Sequence, residues 1–177
     1  MTSEAFCFTA RSQLDTEWLA CNLANLAKPG DIFLLKGELG TGKTTFTKAF
    51  ANALGFDKAD ITSPSFTIIH EYQAPVRLVH ADLYRLGKGA DILSTGLEEY
   101  LDSDFINLIE WAEYMDDPPC DQTLEIQITI SKNTDSDYRY FKLTPMDKSW
   151  ANRLKKLKKE IELKQGQDGG KHEGPYT

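Results

Sequence analysis

The sequence predicts an α/β fold in which a mixed, partly parallel sheet is packed between layers of helices. Two observations favour it. An apolar run of strand length at residues 31–35 is followed by a glycine-rich turn and then by a helical apolar pattern over residues 43–54. Farther on, residues 124–130 alternate strictly between apolar and polar side chains, and a polar turn leads into a second extended run at 138–143. The first pattern is typical of parallel strands joined through helices, and the second adds an antiparallel hairpin.

The elements that precede and follow the glycine-rich turn can be placed from their periodicity. Residues 6–8 favour a short first strand, and residues 15–26 carry apolar side chains at helical spacing until Pro29–Gly30 ends the pattern. The helix over residues 43–54 has Gly55 just beyond its last apolar position, as a C-terminal stop. A strand, a turn and a helix therefore follow one another directly.

The middle of the chain predicts further strands separated by short helices. Residues 65–72 and 77–80 favour extended structure, and residues 105–109 form another apolar run of strand length. Residues 87–101 have a mixed pattern that predicts short helices. The alternation at residues 124–130 predicts that the later hairpin, with its polar turn at residues 132–137, has one solvated face.

Length and charge divide the chain into a domain, a helix and a tail. At 177 residues the chain has the size of one domain, which we place at residues 1–147. Residues 148–164 predict a basic amphipathic helix, with one apolar stripe and a net charge of +4 over residues 151–164. We expect the polar, glycine-rich residues 165–177 to be disordered. The apolar stripe consists of Trp150, Leu154, Leu157 and Ile161.

The charge distribution limits what the protein can bind. The net charge is −7, so the chain outside residues 151–164 carries −11, which argues against a broad nucleic-acid surface. The basic helix is either a solvated face that covers the sheet or a docking site for a partner or tRNA. No apolar stretch approaches the ~18 residues that cross a bilayer, and Cys7, Cys21 and Cys120 show no metal-binding spacing. We therefore expect a cytoplasmic protein with no membrane association.

A phosphate-binding loop is the most specific motif in the sequence. The residues from Gly37 to Thr44 fit the pattern G-x-x-x-x-G-K-[ST], between a predicted strand and a predicted helix. The glycines let successive N–H groups point at phosphate oxygens, and Lys43 adds a positive charge for the outer phosphates. The Thr44 hydroxyl is placed to bind Mg²⁺. We expect ATP and Mg²⁺ at this loop.

Two acidic residues are candidates for completing a magnesium site. Glu110 ends the apolar run at residues 106–109, and Asp82 follows the run at residues 78–80 in the same way. Ligands of open α/β sheets bind at the carboxyl ends of the strands, and Mg²⁺ prefers oxygen ligands. Each acid alone could equally be a solvated side chain or a helix cap. Beside the phosphate loop, both are the favoured partners of the metal.

Four further residues remain open between a functional and a structural role. His80 and His70 could act as acid–base groups, although a hydrogen-bonding histidine near the sheet is the commoner case. Arg85 could neutralise phosphate charge or pair with an acid. Trp111, next to Glu110, is either a lid over a nucleotide or part of the core.

Five motifs in order resemble one bacterial protein family. They are GELGTGKTT from Gly37, SPSFTIIHEY from Ser63, HADLYRL from His80, GLEEY from Gly96 and LIEW from Leu108. Over residues 5–145 the chain resembles the TsaE (YjeE) family, the ATPase of bacterial tRNA threonylcarbamoyladenosine (t6A) synthesis. The resemblance implies a P-loop NTPase-like fold, and it implies action with the TsaB and TsaD proteins and with tRNA through their complex.

The same resemblance assigns roles residue by residue. It implies that Asp82 serves hydrolysis, that Thr44 and Glu110 bind Mg²⁺, and that residues 63–67 form a mobile switch segment. Lys43 and Glu110 join Asp82 as the catalytic group. The residues implied to contact the nucleotide are Thr16, Gly40, Thr41, Gly42, Lys43, Thr44 and Thr45.

Other nucleotide-binding classes fit the sequence less well. A GTPase would carry an Asn-Lys-x-Asp motif, which the sequence lacks, and a small-molecule kinase usually has an arginine-rich lid, whereas the arginines here are scattered. A docking module whose nucleotide is never hydrolysed stays open. The hydrolysis rate, the stoichiometry with partners and the oligomeric state do not follow from the sequence.

Overall fold

A computed structural model describes residues 4–88, 95–101, 104–131 and 138–167. Its centre is a seven-stranded sheet with the order β1-β7-β6-β2-β5-β4-β3. The four adjacent strands β6, β2, β5 and β4 are parallel to one another, whereas the pairs β3–β4, β6–β7 and β1–β7 are antiparallel. The strands are β1 (Phe6–Ala10), β2 (Ile32–Lys36), β3 (Ile69–Tyr72), β4 (Leu78–Asp82), β5 (Ile106–Glu110), β6 (Thr123–Ile130) and β7 (Arg139–Pro145).

The helices begin and end where the sequence supplies caps. The Ser12 hydroxyl accepts a hydrogen bond from the Asp15 N–H at the start of the first helix, and Gly42 and Gly55, both at positive φ, flank the second. A short 3₁₀ turn, Ala112–Tyr114, follows β5. The helices are α1 (Gln13–Leu26), α2 (Lys43–Ala53), α3 (Glu98–Leu101) and α4 (Lys148–Gln167).

The sheet is covered on both faces, which gives three layers. Phe33 and Leu35 of β2 pack with apolar side chains of α1, α2 and α4 on one face. Ile32 and Leu34 point to the other face, where α3 and neighbouring segments cover them. Because both faces are buried, strands β2, β4 and β5 are buried along nearly their whole length, whereas β6 keeps its alternating pattern. The predicted α/β class with a mixed, partly parallel sheet is confirmed.

Helix α4 is part of the core of this fold. Its apolar stripe of Trp150, Leu154, Leu157 and Ile161 is almost fully buried, and Trp150 packs edge-on against Phe33. The chain up to residue 147 therefore lacks side chains that complete its own core. The helix extends to Gln167, three residues beyond the predicted end.

A buried ion pair also fastens α4 to the start of β2. Both terminal nitrogens of Arg153 donate to the carboxylate of Asp31, and Nη1 donates to the Leu26 carbonyl as well. The Arg153 side chain is 10% exposed and that of Asp31 is 1% exposed. The guanidinium lies 3.7 Å above the Trp150 ring. Polar and apolar contacts thus hold the same helix.

One predicted strand was wrong in its first half. Residues 65–67 form a turn instead of extended structure, and β3 begins only at Ile69. Ile68 takes a φ of 69°, and its N–H donates to the Pro64 carbonyl, so the chain bends back before it joins the sheet. Residues 132–137, which were predicted as a turn, and residues 168–177 of the predicted tail lie outside the described residues. Within the described ranges, no helix has the length and apolar character needed to cross a membrane.

Candidate functional site

The candidate site lies at the carboxyl ends of three parallel strands. β2 runs into the glycine-rich loop, and Leu35 of β2 is in register with Glu110, the last residue of β5. Glu110 is in turn in register with Asp82, the last residue of β4. The sheet topology therefore brings the loop and both predicted carboxylates to one edge, although they are far apart in the sequence.

The loop conformation depends on its glycines. Gly37 has a φ of 146°, and a Cβ atom there would lie 2.4 Å from the backbone oxygen of Ile128. Gly40 and Gly42 have φ values of 80° and 103°, in the region that favours glycine. Gly42 is also the N-cap of α2, so the unpaired N–H groups of the first turn face the loop. This arrangement suits an anion such as phosphate.

Lys43 lies folded against the loop and is 4% exposed. Its ammonium donates to the carbonyl oxygens of Gly37 and Glu38 at 2.6 and 3.1 Å, and it lies 3.6 Å from the centre of the Trp111 ring. Burial lowers the pKa of Lys43, an effect opposed by the charges of Glu113, Glu110 and Asp82. The ammonium of Lys43 is therefore subject to the attraction of three carboxylates.

Glu110 is buried and accepts hydrogen bonds on both carboxylate oxygens. Its Oε2 accepts from the Thr44 hydroxyl at 2.7 Å. Its Oε1 contacts the Thr47 hydroxyl at 3.1 Å and the Nε2 atom of His80 at 2.9 Å. Thr44 and Thr47 are three residues apart on α2, which puts both hydroxyls on the face of the helix that meets β5. Thr47 was not singled out from the sequence, although its spacing from Thr44 is a signal that could have found it.

Asp82 holds the segment at residues 63–67 against the site. Its Oδ2 accepts from the hydroxyls of Ser63 and Ser65, at 2.5 and 2.9 Å, and its Oδ1 accepts from the Tyr84 N–H at 3.0 Å. The Asp82 N–H donates to the Ile68 carbonyl. One carboxylate therefore connects this segment to the end of β4.

A cleft of about 520 Å³ opens between these groups. Trp111 lines it and packs between Tyr84 and Tyr114, with ring centres 4.7 and 5.7 Å away, so it belongs to the cleft wall and to the core at once. Arg85 also lines the cleft, with its guanidinium 3.9 Å from the centre of the Phe66 ring. The predicted site residues on its wall are Gly40, Gly42, Lys43, Thr44, Thr45, Asp82 and Glu110.

A second cavity of about 410 Å³ lies on the α1 side of the loop. Gly40, Gly42 and Thr45 line both cavities, so the two meet at the loop. The remaining predicted residues, Thr16 and Thr41, are found here. All the predicted site residues therefore gather around one loop.

Two residues near the loop were missed from the sequence. Arg139 of β7 lines the second cavity and donates from Nε to the Thr41 carbonyl at 3.2 Å. Glu113, in the 3₁₀ turn, accepts from the Gly37 N–H at 3.2 Å. Neither belongs to a motif with a recognisable spacing, and only the folded chain brings them to the loop.

The donor set suits magnesium. Hydroxyl and carboxylate oxygens are the ligands that Mg²⁺ prefers, and it commonly uses one or two carboxylates together with phosphate oxygens and water. Thr44 and Glu110 already touch, and Asp82 ends the neighbouring strand. Thr44 and Glu110 could therefore hold the metal beside the loop.

A parallel sheet whose strand runs through G-x-x-x-x-G-K-T into a helix, with a carboxylate on the neighbouring strand, defines the P-loop class of α/β proteins. Comparison with known proteins narrows the class. The family model described as "Threonylcarbamoyl adenosine biosynthesis protein TsaE" matches residues 10–140. The chain belongs to the TsaE family, as the sequence motifs indicated.

Individual relatives agree with the family match. The chain is 38% identical over 148 residues to the "tRNA threonylcarbamoyladenosine biosynthesis protein TsaE" of Bacillus subtilis, covering 83% of this chain and 87% of the relative. It is 40% identical over 119 residues to the Aquifex aeolicus protein of the same description, covering 66% and 83%. The crystal structure of Bacillus subtilis YdiB superposes with a TM-score of 0.73 at 32% identity, covering 91% of this chain and 98% of the other.

Proposed function

We propose that this chain is the Mg²⁺-dependent ATP-binding and ATP-hydrolysing subunit of tRNA t6A biosynthesis, acting with the TsaB and TsaD proteins. Family membership supports the pathway, since the relatives carry the description of tRNA threonylcarbamoyladenosine biosynthesis proteins. The contact between Thr44 and Glu110 supports Mg²⁺-dependent ATP binding, because the loop hydroxyl and the strand-end carboxylate lie 2.7 Å apart beside the phosphate loop. The complex with TsaB and TsaD gives the chain access to tRNA.

The loop and Lys43 bind the phosphates in this proposal. On binding, the Lys43 ammonium exchanges its contacts with the Gly37 and Glu38 carbonyls for phosphate oxygens. The N–H groups of the loop and of the first turn of α2 bind the remaining oxygens. Thr44 and Glu110 hold Mg²⁺, which supplies positive charge to the phosphates. The second cavity, which contains Thr16, accommodates the rest of the nucleotide.

Asp82 orients the attacking water. Its carboxylate ends the strand next to Glu110, and both of its oxygens accept hydrogen bonds from residues at the cleft. A carboxylate at this position can accept a hydrogen bond from water and so fix its direction of attack, which is the main task of protein groups in phosphoryl transfer. Because Ser63 and Ser65 also contact Asp82, a movement of residues 63–67 would change how Asp82 is presented.

Phosphate release from Mg-ATP, measured for the chain alone and then with TsaB and TsaD, tests the proposal. We expect slow release alone and faster release in the mixture, and we expect Asp82→Asn to abolish the faster phase. Transfer of the phosphate to a small acceptor would instead indicate a kinase. Nucleotide-dependent complex formation without any release would indicate a docking module.

A further inference from the structure

His80 is a buried histidine that forms a hydrogen bond with the carboxylate of Glu110. Its side chain is 0% exposed and that of Glu110 is 1% exposed, with 2.9 Å between Nε2 and Oε1. A carboxylate oxygen accepts, so Nε2 is the atom that carries the hydrogen. The Nδ1 atom is buried and has no hydrogen-bond partner among the described residues. Among the described residues, Glu110 is therefore the hydrogen-bond partner of the buried ring.

The fold explains why these two residues meet. Side chains two apart on a strand share a face, so His80 faces α2 together with Leu78, and Glu110 does so together with Leu108. The register pairs His80 with Leu108, and Asp82 with Glu110. Glu110 thus lies diagonally across from His80, within reach of its ring.

A glutamate at this position needs an external group to fix its carboxylate. Three rotatable bonds separate the carboxylate from the strand backbone, so the position of the strand does not determine where each oxygen points. Thr47 contributes little to that task, because its single hydroxyl hydrogen is shared between the Lys43 carbonyl and Oε1, both at 3.1 Å. His80 makes the shorter contact and has no competing acceptor among the described residues.

We propose that His80 is a positioning residue that holds Oε1 of Glu110 and thereby turns Oε2 toward the Thr44 hydroxyl and the magnesium site. This inference rests on the proposed function, because it gives His80 a task only if Glu110 binds the metal. Removing a residue that hydrogen-bonds to a metal-binding side chain commonly lowers metal affinity by about 10- to 100-fold. His80 therefore sets the magnesium dependence of nucleotide binding without touching the nucleotide.

The test is a calorimetric titration of a non-hydrolysable ATP analogue at a series of Mg²⁺ concentrations and in EDTA. His80→Met removes the donor with a flexible side chain that fills irregular space. We expect it to raise the Mg²⁺ concentration for half-maximal tight binding by about 10- to 100-fold, with binding in EDTA unchanged. His80→Gln has an amide nitrogen that can donate a hydrogen bond from about the same position. This variant should therefore need nearly the wild-type Mg²⁺ concentration for half-maximal tight binding.

His70→Met is the matched control, because His70 pairs with His80 across β3 and β4 but makes no described contact with Glu110. It should leave the Mg²⁺ dependence unchanged. Thermal unfolding without ligand checks each variant, and His80→Phe replaces His80→Met if the latter does not fold. An unchanged Mg²⁺ dependence in His80→Met, or equal losses in Mg²⁺ and in EDTA, would overturn the positioning role. Failure of the wild-type chain to show any Mg²⁺-dependent binding would instead overturn the proposed function.

Discussion

Arg153→Met should destabilise the whole domain, because it leaves the carboxylate of Asp31 buried without its cation. Both terminal nitrogens of Arg153 donate to this carboxylate, and Nη2 lies 2.8 Å from Oδ1. After the substitution, the described hydrogen-bond donor that remains for Asp31 is the Lys28 N–H. Methionine can keep apolar contact with Trp150, which alanine would lose. The measured loss of stability in Arg153→Met therefore reports mainly on the missing positive charge.

The expected magnitude follows from the burial of the pair. Breaking a buried ion pair from one side commonly costs about 3–5 kcal/mol, because the remaining charge is uncompensated. For a domain of this length, each kcal/mol lowers Tm by about 2–4 °C, so Tm should fall by about 6–20 °C. The double variant Arg153→Met with Asp31→Leu should lose less than the single one, since it leaves no buried charge.

Urea denaturation of the wild type, both single variants and the double variant gives the coupling free energy directly. The pair lies at the amino end of β2 and the phosphate loop at its carboxyl end, one strand of about 16 Å away. The folded fraction of Arg153→Met should therefore bind Mg-ATP with nearly wild-type affinity. A loss of stability below about 1 kcal/mol would refute the reasoning, since that is the range of an exposed pair.

Three further predictions concern the site itself. Lys43→Ala should weaken ATP binding about tenfold or more, because a hydrogen bond to a charged group contributes about 1.5–3 kcal/mol. Unchanged affinity by calorimetry in a folded variant would contradict the phosphate-loop assignment. Glu110→Gln should raise the Mg²⁺ concentration needed for tight ATP binding. Asp82→Asn should bind Mg-ATP nearly normally yet release no phosphate in the presence of the partners. If only Asp82→Asn needed more Mg²⁺ for ATP binding, the two roles would be reversed. Gly37→Ala should lower the free energy of unfolding by more than Gly87→Ala. Both positions have positive φ, which costs a residue with a Cβ about 1–3 kcal/mol, but of the two only the Cβ at Gly37 would meet backbone atoms. Equal losses in urea denaturation would show that the steric contact has no effect.

Much of the site could be predicted because its chemistry follows local patterns. Glu110 and Asp82 each end an apolar run, and parallel strands place such positions at one edge. The contacts that orient them could not be predicted, because they depend on which strands are neighbours. The register that brings His80 to Glu110 exists only once β4 lies beside β5.

The turn at residues 65–67 shows where local propensity fails. Phe66, Thr67 and Ile68 all favour strands, so the sequence pattern predicted extended structure. Tertiary contacts override this propensity, since the hydroxyls of Ser63 and Ser65 donate to Asp82, which lies 19 and 17 residues away in sequence, respectively. For the basic helix, by contrast, one of the two predicted alternatives agrees with the structure, since the apolar side of α4 packs in the core while the lysines within residues 155–159 are exposed on the opposite, polar side.

The parallel pairing of β2 with β5 also bears on how the protein folds. Ile32 pairs with Asn107, so this ladder closes a loop of about 75 residues, and contacts of such long range form slowly. The β6–β7 hairpin can form from local sequence, but Thr44 and Glu110 do not meet until the long loop is closed. Any ligand held by both groups is bound by the native state and not by the unfolded chain, so it shifts the global equilibrium toward folding. Mg-ATP should accordingly slow hydrogen exchange in the central strands, far from the atoms that it touches.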